Sequence, residues 1–129
     1  MLCMLVVVGC NRHADQSALA YYEEGKSLRE SGQPIEAMQV FLRAAHSGTQ
    51  DEALLGRVYS NMANMCRQAN AHATAYTVYG SSAEHFASSR DSLAYAYALN
   101  NMAWELAVQG EKARALELVE QALSVHLFP

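Results

Sequence analysis

Between Leu99 and Leu123 the apolar positions recur with a period near 3.6 and form two stripes. Leu99, Met102, Ala103 and Leu106 share one face of a first helix. Ala115, Val119, Ala122 and Leu123 share one face of a second. Gln109-Gly110-Glu111 separates them, and Gly110 can end a helix in the left-handed region at little steric cost. The unit is a helical hairpin. The same pattern read along the whole chain predicts six helices, over 17–31, 35–47, 51–69, 71–87, 91–109 and 111–126. Pro34 falls just before or within the first turn of the second helix, where its missing N–H costs little. Asp51 and Asp91 are N-caps or first-turn acids of the third and fifth.

The hairpin is repeated. Aligning Ala18, Gly56 and Ala96 gives three copies offset by 38 and 40 residues. Small residues twelve apart recur as Gly25 and Ala37, Ala63 and Ala75, Ala103 and Ala115, one on each helix where two backbones must approach closely. A large apolar residue follows four later, as Phe41, Tyr79 and Val119. A small one follows three after that, as Ala44, Ser82 and Ala122. The turns are Ser31-Gly32-Gln33, Ala69-Asn70-Ala71 and Gln109-Gly110-Glu111, whose central residues best tolerate positive φ. A single hairpin has too little core, so stacking of the copies must supply the rest.

These copies resemble tetratricopeptide repeats. Tyr21, Tyr59 and Leu99 match that motif's large fourth residue, and Gly25 its glycine. Ala37, Phe41 and Ala44, with their later equivalents, match the set on its second helix. Glu24 stands where the motif has Leu, the first two copies lack the closing Pro, and the period exceeds the usual 34. The longer period and the Asn-rich first helices resemble the long-helix variety of kinesin light chains. The resemblance implies an all-α, right-handed α-α superhelix of three hairpins, over about 18–50, 51–90 and 91–129 within a domain of 17–129. It also implies a function, the binding of a peptide or protein segment in a concave groove.

In that family the first helices of the repeats line the groove. Their outward positions here are Tyr22, Glu23, Lys26 and Arg29, then Arg57, Ser60, Asn61, Asn64 and Arg67, then Tyr97, Asn100, Asn101 and Trp104. A carboxamide offers both a donor and an acceptor, and the resemblance implies that Asn61 and Asn101 hold peptide backbone. Lys26, Arg29, Arg57 and Arg67 are four of the nine basic residues of a chain with net charge −4. Their gathering on one face points to an acidic or carboxylate-bearing ligand. Tyr97 and Trp104 are apolar anchors.

Composition narrows the alternatives. Hydrophobic residues make up 51% and Pro is only 2 of 129, which favours helix; the negative net charge gives no general attraction for nucleic acid. Three cysteines without zinc spacing suggest neither a disulfide framework nor a metal knuckle. Cys66 falls on the inward stripe of the third helix and reads as a core thiol. The five histidines share no metal-ligand spacing, and no phosphate-binding glycine loop occurs. No metal, cofactor or catalytic constellation is expected, and an enzyme with a site assembled between helices is an outlying alternative.

The first ten residues, MLCMLVVVGC, are apolar throughout and too short to span a bilayer, which takes about 20 residues. Val7-Val8-Gly9-Cys10 resembles a bacterial lipobox. The resemblance implies lipidation at Cys10, a short tether over 11–16, and a lipid-anchored envelope protein on the outer membrane, facing the periplasm. No Lys or Arg precedes the apolar run, so the true start is expected upstream; the alternative is a buried N-terminal element. At the other end Leu116, Leu123, Leu127 and Phe128 are expected to stay partly exposed, with no polar capping helix after them. Self-association through the last helix, or continuation into a longer signalling or transcriptional regulator of which this is the sensor portion, would account for that face.

Overall fold

The computed structural model describes the backbone of residues 2–125 and the side chains of residues 12–125. The described residues form six α-helices: α1 (Leu2–Glu30), α2 (Pro34–Ala45), α3 (Glu52–Gln68), α4 (His72–Ser88), α5 (Ser92–Val108) and α6 (Lys112–Val125). Each helix packs on the next in the chain, and α1 also touches α3. Three-residue connections between α1 and α2, α3 and α4, and α5 and α6 make these pairs antiparallel hairpins. The fold is all-α, as the periodicity predicts.

Helix ends follow local chemistry. Asp51 accepts from the Leu54 N–H at 3.0 Å and Asp91 from the Ala94 N–H at 3.1 Å, so both act as N-caps. Pro34 opens α2. Gly32, Asn70 and Gly110 have φ of 78°, 60° and 84°, the left-handed turn expected at each hairpin. The N–H of the residue after each then reaches back to Leu28, Cys66 or Leu106 O, capping the preceding helix. Arg90 closes α4 in the same way with φ 60°, which its residue type did not signal.

The paired small residues lie where helices meet, and Ala37, Ala63, Ala75, Ala103 and Ala115 are all buried. At Gly25 a Cβ would stand 2.6 Å from the ring of fully buried Phe41, so only glycine fits beneath that ring. Tyr79, Ser82, Ala44 and Ala122 are buried at the other recurring positions. Leu116 and Leu123 are 58% and 64% exposed, as expected of the last helix, which takes Leu123 off the inward stripe.

The first helix is longer than the 17–31 expected and runs on through 11–16, the segment read as a tether. The tertiary contact that holds this stretch is a hydrogen bond from the Thr49 hydroxyl to Asp15, with the Asp51 N–H donating in turn to Thr49. The expected lipidation of Cys10 lies outside the described side chains. No helix among the described residues is long and apolar enough to cross a membrane.

Candidate functional site

The first helices of the hairpins lie side by side, joined by polar side chains. Arg29 on α1 donates to the Asn61 carboxamide oxygen on α3 at 2.7 Å, and Asn61 donates to Arg57 O at 2.9 Å. Arg57 and Lys26 lie over the ring of Tyr22, at 5.8 and 4.7 Å from its centroid. On the other side Arg67 of α3 crosses to α5 and donates to Asn101 O and Oδ1, each at 3.3 Å. Lys26, Arg29, Arg57, Asn61, Arg67 and Asn101 thus share one face.

Tyr22 departs from the outward position expected of it. It is 8% exposed, with its ring tilted against Phe41. Asn64 is also engaged, accepting a hydrogen bond from the buried Tyr79 hydroxyl. Tyr97 and Trp104 are 62% and 49% exposed, and Asn100 is exposed between them on α5. Leu93, Ala96, Tyr97 and Asn100 line a shallow pocket of about 200 Å³.

The most constrained group on this side is one that the charge pattern did not single out. Glu105 on α5 is fully buried. Its carboxylate accepts from Arg67 Nε at 2.6 Å and meets His72 Nδ1 at 2.7 Å. The Arg67 guanidinium lies between the rings of Trp104 and Tyr79, 4.5 and 4.8 Å from their centroids, and His72 packs obliquely on Trp104. A buried carboxylate is sustainable because the Arg67 guanidinium pairs with it and His72 adds a second polar contact. The register did carry a signal: Glu105 stands one repeat after the buried Met65, so an acid there must find a buried partner.

This pairing changes the electrostatics of the face. Arg67 was expected to meet an acidic ligand, but Glu105 neutralises it. Lys26 has the exposed Glu23 beside it at 3.3 Å, and among the described residues Arg29 has the neutral Asn61 as its hydrogen-bond acceptor. Arg57 is exposed and makes no ion pair among the described residues. The available positive charge is therefore concentrated over α1 and α3, while α5 presents amide and aromatic groups.

Cys66, expected in the core, is half-buried and lines an apolar cleft of about 390 Å³ with Pro34, Ile35, Met38 and Met65. Burial, then the Glu105 carboxylate, pushes its thiol pKa up. Burial likewise raises that of Tyr79, against an opposing pull from Arg67. Both shifts favour the neutral forms, which suits a packed thiol better than a thiolate nucleophile. Among the described residues no three His, Cys, Asp or Glu side chains converge as metal ligands. No protein-family model matches the chain, and no curated protein matches it significantly.

Proposed function

We propose that this protein is a binding module, a right-handed superhelix of three tetratricopeptide-like hairpins that holds an extended acidic segment of another protein across α1, α3 and α5. The observation that carries the reading is the composition of that face. Exposed Arg57, with Lys26 and Arg29 nearby, lies over the first two hairpins, and the exposed rings of Tyr97 and Trp104 lie over the third. Large aromatic rings left in solvent beside a cationic patch are suited to anchoring a ligand, with the charges setting its orientation and speeding encounter. The fold reading is supported by the small-residue pairs buried at each hairpin and by positive φ at all three turns. By its resemblance to a lipobox, Val7 to Cys10 would anchor the module to the envelope, at the outer membrane.

The test is capture from envelope extract by the full chain, beside a variant with Arg57→Glu and Tyr97→Ala. Both side chains are exposed, and neither holds the buried Glu105 cluster, so they can be changed without opening the core. The reading expects a partner retained by the first and lost by the second, with circular dichroism unchanged. A partner kept by both would place the contact elsewhere. Asn61, Asn64 and Asn101 are unsuitable targets, because each already holds a neighbouring helix.

A further inference from the structure

The second helix of each hairpin repeats a set of positions whose surroundings can be compared within the molecule. On α2, Met38 and Ala45 pack against a core that includes Val58 and Met62 of α3. On α4, one repeat later, Ala83 meets Ala98 of α5, and Gly80 approaches the Met102 methyl so closely that a Cβ there would lie 3.7 Å from it. On α4 the first helix of the next hairpin covers the stripe, whereas on α2 the position equivalent to Gly80, Leu42, stays 43% exposed and the cover is partial. The matching positions on α6 are Leu116, Glu120 and Leu123. Leu116 and Leu123 are 58% and 64% exposed, and Glu120 is exposed between them. This face continues the interface that α4 and α5 build, but here it holds large apolar residues and no helix covers it among the described residues.

The charge at its centre selects the occupant. In the register of the repeat, Met62 and Met102 correspond to Glu24 of α1, which is exposed. Because Met102 lies on Gly80, and Gly80 corresponds to Glu120, a second copy stacked head to tail would bring Glu24 onto Glu120. Two α6 helices paired about a two-fold axis would bring Glu120 onto Glu120. Both arrangements place like charges together at the middle of the contact, which costs affinity. We infer that the exposed face of α6 docks an amphipathic helix of a partner protein, one with apolar residues at four-residue spacing and a Lys or Arg at the centre of the stripe opposite Glu120. Such a helix lays its apolar stripe along the groove, and the cation fixes its register.

The probe is a labelled synthetic peptide with the sequence of residues 91–109, stapled on the side away from the stripe so that it is helical before binding. One version carries Met102→Lys and another Met102→Glu. Titrated with the full chain and followed by fluorescence anisotropy, the Lys version is expected to bind saturably and at least about tenfold more tightly than the Glu version. With Glu120→Lys in the protein the preference inverts, and with Leu123→Asp both lose binding. Absence of binding by the Lys version, equal binding of the two, or a preference indifferent to Glu120→Lys would overturn the inference. So would a wild-type dimer in sedimentation that Leu123→Asp dissociates, since the occupant would then be a second copy. None of these substitutions touches Arg57 or Tyr97 of the protein, so loss here and loss of capture on the other face are separate outcomes.

Discussion

Gly25 shows how one absent methyl group sets the spacing of a hairpin. The Phe41 ring occupies the space a Cβ would need, and the ring is fully buried, so it has nowhere to swing. In the third hairpin the same two positions hold Ala103 and Val119, a larger residue opposite a smaller one. Gly25→Ala is therefore expected to destabilise the native protein by about 1–3 kcal/mol through overpacking. In a Phe41→Val background the same change should stabilise, by about 0.5–1 kcal/mol, because the methyl enters a cavity and alanine favours helix. Urea unfolding of the four proteins checks the reversal of sign, and a loss of equal size in both backgrounds would show that the ring does not dictate the glycine. This pair was legible in the sequence as a recurring small residue on the first helix of each hairpin and a large one on the second. The left-handed Arg90 was not, since nothing in its side chain marks it for positive φ and only the need to cap α4 puts it there.

At the scale of helices, the boundaries read well wherever a local signal exists. Asp51, Asp91, Pro34, Gly32, Asn70 and Gly110 fix ends within a residue or two through capping or φ alone. α1 begins well before the residue 17 that periodicity predicts, and within the added stretch Asp15 accepts from Thr49 of the α2–α3 connection, a contact 34 residues away that a local pattern does not reveal. The join between α3, α4 and α5 was hidden for a similar reason. Arg67 and Glu105 are 38 residues apart, and polarity alone marked Arg67 as a surface cation free for a ligand. Burial makes their pairing matter to stability. Arg67→Ala would leave the Glu105 carboxylate in the core with the His72 ring as its remaining polar contact, and about 3–5 kcal/mol of stability should be lost. Arg57→Ala, on an exposed cation of the same helix, should cost within about 0.5 kcal/mol. Thermal or urea unfolding distinguishes them; equal, small effects would mean that Glu105 is not held as described. The comparison also warns against reading loss of binding in an Arg67 variant as loss of a ligand contact.

Across the whole molecule, two of the surfaces that the described residues leave open differ in chemistry. The α1–α3–α5 face is polar and basic over two hairpins and aromatic over the third, whereas the α6 face is an apolar stripe interrupted by Glu120. Repeat register made the helices of the first face legible in the sequence. The division of its charge was not legible, because it depends on Arg67 being neutralised within the fold. Selection from a random peptide library displayed against the immobilised full chain tests the central claim most directly. The account predicts enriched sequences that carry a cluster of Asp and Glu with a hydrophobic residue to one side, and that no longer bind when Lys26 and Arg57 are both changed to Glu. Enriched sequences without acidic residues, or acidic ones whose binding survives that double change, would contradict it.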